Sequence, residues 1–413
     1  MMNRTVEEVA ALLMQGAEFG DVEIEQWMAQ ALRERLYEAR NARRPLRVYC
    51  GYDATKPDLH LGHTITLRKL RQFQECGHDV TFLIGDFTTR VGDPSDRDGL
   101  RPPLSEEEIA FNARTYADQA FKVLDRDRTH VRYNSEWLAA LDLTDVIGIA
   151  GNFTVQQFLA RDNLRARHER GDPIWLHELF YAMLQGYDAV ALRADVQLGA
   201  TEQLFNLLAG RKLQEAFGLA PQVCITFPVL VGTDGRARMS KSAGNYIGID
   251  EPAAEMYGKV MSLPDEVMAS YFRLVTRWTP AEVAGVEGRL ATGDLHPMDA
   301  KKALAWEIVD GYHGRDAADA AAEYFRRVHQ QGKAPHDMPR FAVAGAMGIV
   351  DLLHNAGMCG SKSEGRRLVE QGGVRLDGAT VESAGQVVTP GEHVLQVGKR
   401  RFVRLVVDRG EGE

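Results

Sequence analysis

Between residues 46 and 88 the chain passes from a short apolar run through a helical pattern to a second short apolar run, and this unit restricts the possible folds more than any other feature. LRVYCGYD (46–53) alternates Leu46, Val48 and Cys50 with polar or larger residues until Gly51 breaks the pattern, so it reads as a strand giving way to a loop. TITLRKLRQFQECGHD follows with Ile65, Leu70 and Phe73 on one side, Arg68, Lys69 and Arg71 elsewhere, and Gly77 as a helix stop. DVTFLIGDFT (79–88) is apolar again and ends near Gly and Asp. The unit is strand, helix, strand.

The alternation continues. A helix is expected over 21–43 and another near 105–125, then HVRYNSEW (130–137), helical segments to about 187, the apolar run AVALRADVQLG, a helix near 201–217 and QVCITFPVLV (222–231). Strands alternating with helices predict an α/β fold, a Rossmann-like doubly wound parallel sheet whose ligands sit beyond the carboxyl ends of the strands. From 251 to about 335 helix follows helix, with breaks at SLPD and WTPAE. MGIVDLLHNAGMCGSKSEGRRLVEQGG (347–373) reads as two short helices, and VRLDGATV and HVLQVGKRRFVRLVV as strands. The predicted division is 1–250, 251–340 and 341–413: an α/β domain, an α-helical domain and a small α+β domain.

The 413 residues, 45% hydrophobic and 26% charged, suit a soluble globular protein of two or three domains. Four cysteines without C-x-x-C spacing argue against a structural zinc site or a disulfide framework and fit a reducing, cytoplasmic setting. No window resembles a signal peptide or a membrane span, so no membrane partner is expected. A net charge of −9 argues against indiscriminate nucleic-acid coating but permits a local basic face.

The loop after the first strand carries HLGH, His60 to His63. A metal site lacks a third ligand at suitable spacing, and Gly62 disfavours a helix interior. A phosphate site explains more: Gly62 permits close backbone approach, a helix start offers free N–H groups, and two imidazoles add donors for charge growing on a phosphoryl group. The P-loop pattern is absent. VGTDGRARMSKSAGN (231–245) adds Arg236, Arg238 and Lys241 in a Gly- and Ser-rich loop just after the last strand. HLGH and RMSKS, in that order around an α/β unit, form a specific signal.

On these two motifs the chain resembles class I aminoacyl-tRNA synthetases and, among them, the bacterial tyrosyl-tRNA synthetases. YCGYDATKPDLHLGH, LIGDFTTRVGDPS, RYNSEWL and LHELFYAMLQGYD extend the match through nearly the whole chain. The resemblance implies a homodimeric ligase that uses ATP with Mg2+, L-tyrosine and tRNA(Tyr), with no tightly bound metal of its own. By matching motif, His60, His63 and Thr55 would contact ATP phosphates, with Lys241 and Arg238 closing over the pyrophosphate. Gly51, Asp53, Gly62, Gly199, Glu202 and Met239 would complete the ATP side. Tyr49 and Asp188 would meet the phenolic hydroxyl of tyrosine, and Asp93, Tyr181, Gln185 and Gln203 its ammonium group. A site that buries partners for a hydroxyl penalises phenylalanine heavily, a penalty for which tyrosyl-tRNA synthetases are themselves the standard example.

Three motifs depart from the family pattern. GATEQ stands where G-G-[ST]-D-Q is usual, so Ala200 adds a methyl and Glu202 a methylene. Arg238 replaces the first lysine of KMSKS. SDRDGLR adds Asp96 and Asp98 beside Arg97 and Arg101. Drift within an active enzyme accounts for them; the alternatives are an inhibitor-tolerant paralogue or an RNA-binding homologue without ligase activity. On the RNA side, residues 342–407 hold eight Lys plus Arg against six Asp plus Glu. The cations concentrate at Lys362, Arg366, Arg367, Arg375, Lys399 and Arg400, which suits RNA phosphates. LARDNLRARHER (159–170) offers more basic residues where the family binds the acceptor stem.

Overall fold

The computed structural model describes residues 4–94, 104–330, 338–398 and 401–408. Asp96, Arg97, Asp98, Arg101, Lys399 and Arg400 lie outside them. The chain groups into two compact units, one of 1–252 with 259–312, the other of 253–258 with 313–413.

The first unit is built on five parallel strands, β1 (Arg47–Asp53), β2 (Asp79–Gly85), β3 (Thr129–Tyr133), β4 (Val196–Ala200) and β5 (Val223–Phe227), in the order β3-β2-β1-β4-β5. Every residue of β5 is buried, which is why VCITF shows an apolar run broken only by Thr226 rather than an alternating one. The strand stops at Phe227, before Pro228, earlier than the apolar pattern alone suggests. Gly51 does not end β1. It pairs with Leu83 and the strand continues to Asp53, because a glycine flanked by paired residues keeps its ladder. AVALRADVQLG is likewise divided: helix Leu176–Ala191 takes its first three residues and β4 begins at Val196.

Helix Leu61–Glu75 buries Ile65, Leu70 and Phe73 and ends before Gly77, whose φ of 91° suits the left-handed turn that closes it. Lys69, expected on the polar side, is buried. Its ammonium donates to the Leu12 and Gln15 carbonyls at 3.2 and 3.1 Å, closing the exposed carbonyl end of helix Val6–Met14. Further on, WTPAE proves to be a helix start: Thr279 caps helix Pro280–Thr292 with a reciprocal Glu282 contact and proline at its first position.

In the second unit, β6 (Arg340–Ala344), β12 (Arg401–Asp408), β11 (Gly391–Val397), β8 (Val374–Leu376) and β9 (Ala379–Thr380) form one sheet in that order, and β7 (Met347–Gly348) pairs with β10 (Val387–Val388). Helices Ile349–Asn355 and Lys362–Glu370 cover a core of Leu352, Val369, Leu395 and Leu405. VRLDGATV is a hairpin rather than one strand: Asp377 and Gly378 both take positive φ, the two-residue turn that suits strand twist.

Candidate active site

In the strand order β3-β2-β1-β4-β5, connections leave β1 and β4 in opposite directions, which opens a crevice beyond their carboxyl ends. HLGH lies at this point. His60 is extended and caps helix Leu61–Glu75; its Nδ1 accepts from the Gly62 N–H at 3.2 Å, and His63 Nδ1 accepts from the His60 N–H at 3.1 Å. Each ring therefore carries its proton on Nε2, the nitrogen left to donate elsewhere. Gly62 suits this packing, since a side chain there would meet the His60 ring at 3.0 Å and the ring would have to give way. Burial, then the charges of Lys241 and Arg238, lowers His60 to about 3; burial, then His60 itself, holds His63 well below its ordinary value. The pair are neutral donors.

The RMSKS loop hangs from a backbone bridge between Val231 and Arg238, with Met239 N–H donating to the Leu230 carbonyl at 2.7 Å. Beyond the loop, Leu61 donates to Ile247 and Ile249 to Leu59, each at 3.0 Å, so HLGH and the loop's far end share one short ladder. Lys241 Nζ donates to the Lys56 carbonyl at 3.2 Å and to the Tyr116 hydroxyl at 3.3 Å. A cavity of about 430 Å³ is lined by Thr55, His60, Gly62, His63, Glu202, Arg238, Met239 and Lys241. The histidines and the loop cations thus face one crevice.

A second lobe of about 290 Å³ shares Thr55, Gly62, His63, Glu202 and Arg238 with the first and adds Asp93, Tyr181, Gln185, Asp188 and Gln203. Gly51, Asp53 and Gly199, expected on the ATP side, line this lobe. Asp53 accepts from the Tyr181 hydroxyl at 3.1 Å and from the Thr88 hydroxyl at 2.8 Å, and a side chain on Gly85 would collide with both Asp53 and Thr88. Gln203 donates to Asp93, and Asn206 joins Gln185 to Gln203 with two 3.0 Å hydrogen bonds. Two carboxylates, a phenol and two amides therefore surround one corner, a chemistry suited to an ammonium group.

Asp188 lies at the buried end. Trp137 Nε1 donates to one carboxylate oxygen at 2.8 Å and Asn134 Nδ2 to the other at 3.3 Å, yet burial outweighs both and raises the carboxyl to about 8. Tyr49 does not line the lobe. It is buried beneath it with Leu83 and Ala189, and its hydroxyl, near Gln222 and Asp188, has no partner in hydrogen-bond geometry among the described residues. The sequence reading does not single out Trp137 and Asn134, although both stand in RYNSEWL, three positions apart. Among the described residues no group of three His, Cys, Asp or Glu is placed to hold a metal ion.

In the second unit Lys362, Arg366, Arg367 and Arg375 are all exposed, Lys362 pairing with Asp351 at 2.6 Å. Within LARDNLRARHER, Arg167 is buried against Glu178 and is structural rather than available to RNA.

A parallel sheet with neutral imidazole donors and loop cations at its switch point defines a nucleotide-using α/β enzyme class. Residues 40–330 match the family model of tRNA synthetases class I (W and Y), and residues 347–394 the S4 domain. Similar curated proteins include the tyrosine–tRNA ligase of Moorella thermoacetica, 50% identical over 91% of each chain, and that of Oleidesulfovibrio alaskensis, 46% identical over 97% of this chain and 99% of the other. The mitochondrial tyrosyl-tRNA synthetase structure of Aspergillus nidulans shares the fold, with a TM-score of 0.61 and 24% identity over 78% of this chain and 94% of that one. The chain belongs to the tyrosyl-tRNA synthetase family of class I.

Proposed function

We propose that this protein is a tyrosine–tRNA ligase: a tyrosine carboxylate oxygen attacks the α-phosphorus of ATP, pyrophosphate leaves, and a hydroxyl of the tRNA terminal adenosine then takes the acyl group, releasing AMP. The observation that carries this reading is a single cleft whose open lobe holds His60, His63 and Lys241 and whose buried lobe ends at Asp188. No side chain needs to act as a nucleophile. Rate comes from positioning and from donors aimed at charge on the phosphates. Asp53, Asp93, Tyr181, Gln185 and Gln203 hold the ammonium group, while Thr55 and the histidines receive the phosphates. Magnesium enters on ATP itself. Asp188, which lines the buried lobe, favours tyrosine over tryptophan, whose indole has no hydroxyl to meet it.

The partition into 1–250, 251–340 and 341–413 is part of the same reading, with tRNA(Tyr) held by the last two portions and Lys362, Arg366, Arg367 and Arg375 on phosphates. The free cysteines suit a cytoplasmic protein, and no described helix is long and apolar enough to cross a membrane.

A second copy completes the assembly. Helices Leu143–Ala150, Val155–Leu159 and Leu176–Ala191 share a core around Ile149 and Phe158, yet show Leu143, Ile147, Val155 and Leu176 to solvent, each more than half exposed. Ile147→Glu is expected to convert a dimer into a monomer in sedimentation; a wild type already monomeric removes this part of the reading.

The function is tested by exchange of labelled pyrophosphate into ATP. Tyrosine is expected to support it and phenylalanine and tryptophan to fail, while aminoacylation of tRNA, unlike exchange, weakens steeply with salt. No exchange with any of the three amino acids overturns the ligase reading.

A further inference from the structure

Arg238 and Glu202 meet at 2.7 Å, both half-buried, at the line where the two lobes join. Glu202 sits in the 3-10 turn Thr201–Gln203 directly after β4; Arg238 stands at the foot of the RMSKS loop, its backbone fixed opposite Val231. We propose that Glu202 is a positioning residue that holds the RMSKS loop over the cleft through Arg238, leaving Lys241 as the loop cation that meets the phosphates. This rests on the ligase reading above and changes the role expected for Arg238.

The two loop cations are held differently. The Arg238 guanidinium is bonded to Glu202 just after β4 and attracted by a second carboxylate, Asp93, which also accepts from Gln203. To reach a phosphate it must leave both and give up the 2.7 Å contact with Glu202. Lys241 donates to the Lys56 carbonyl and the Tyr116 hydroxyl, two acceptors that a phosphate outcompetes. Its partners Lys56 and Tyr116 lie on the β1 side, with His60 and Thr55 in the same lobe. The loop therefore spans the cleft with a fixed foot and an exchangeable tip.

The pair is also mutually dependent. Burial and Asp93 raise the Glu202 carboxyl to about 7, whereas the guanidinium at 2.7 Å favours the carboxylate; with both partners at hydrogen-bond distance, the charged pair is the form present. Removing either member dissolves the contact. A methylene shorter than Glu202, aspartate loses the reach.

The test is a double-mutant cycle of Glu202→Gln and Arg238→Gln, read by tyrosine-dependent pyrophosphate exchange and by amide hydrogen exchange of residues 232–245 in enzyme without ATP. Each single substitution is expected to lower kcat about tenfold, and the double by about tenfold rather than a hundredfold, because both remove one contact. Loop amides are expected to exchange faster, and equally so, in both single variants, with KM for tyrosine unchanged. Multiplying losses, a raised KM for ATP confined to Arg238→Gln, or loop protection unaltered in Glu202→Gln would overturn the proposal. Tyrosine binding followed by tryptophan fluorescence certifies that each variant is folded, and Glu202→Asp substitutes if Glu202→Gln is not. A wild type without exchange activity would sink the ligase reading alone, since hydrogen exchange still decides the clamp.

Discussion

His63→Ala is expected to slow tyrosyl adenylate formation by about two to three orders of magnitude, the usual cost of removing one preorganised donor from a developing anion, with little change in KM for tyrosine. Both imidazoles also belong to the cap of helix Leu61–Glu75, His60 accepting from the Gly62 N–H and His63 from the His60 N–H, so the variant's thermal unfolding is measured beside its rate. The two rings are neutral donors through Nε2, because each Nδ1 accepts a backbone N–H and burial lowers both groups, His60 to about 3. The rate of activation should therefore show no inflection near pH 6.5 attributable to them. Stability behaves differently. An unfolded chain takes up protons on these histidines below about 6.5 while the folded one does not, so the stability that depends on their neutrality is present above that pH and is lost as the pH falls toward 3. An acidic limb near 6.5 that vanishes in His63→Ala would contradict the assigned protonation.

Asp188→Asn should erase most of the discrimination between tyrosine and phenylalanine, lowering kcat/KM for tyrosine by about two orders of magnitude and leaving that for phenylalanine nearly unchanged. The wild-type carboxyl receives hydrogen bonds from Trp137 and Asn134, which fix its plane toward the lobe that a substrate hydroxyl would enter. Phenylalanine brings no hydroxyl to the desolvated carboxyl. An asparagine cannot accept from both neighbours, because its amide nitrogen faces one donor with another. The same substitution has a pH signature. With its carboxyl raised to about 8, folded Asp188 keeps a proton that the unfolded chain releases near its ordinary value of 3.8, so native stability falls as pH rises through that window and levels off above 8. Thermal unfolding between pH 5 and 9 should therefore fall less steeply in Asp188→Asn than in wild type. Equal slopes, or undiminished preference for tyrosine, would show that Asp188 is not the hydroxyl reader.

How far the sequence carried the fold depended on whether the information was local. Strand β1, helix Leu61–Glu75 and β2 were legible because their period and stops lie within forty residues. HLGH and RMSKS were legible as a pair because each sits just past a strand, and strand ends in such a sheet converge. Lys69 was misjudged for the opposite reason: its partners are carbonyls at the end of a helix more than fifty residues away, and helical period sees only the polar head. Trp137 and Asn134 reach Asp188 across about fifty residues as well, and nothing in RYNSEWL states what they orient. Glu202 and Arg238 each stood out as a departure from family pattern, but their contact across thirty-six residues exists only in three dimensions.

The short ladder of Leu59, Leu61, Ile247 and Ile249 bears on how such a molecule tolerates change. Spacing between the imidazoles and the lysine-bearing arm is set by main-chain atoms, so it is indifferent to which side chains decorate that arm. Sequence novelty at its apex is thereby separated from the alignment of the reacting groups, as a tool head can be exchanged without recalibrating the arm that carries it.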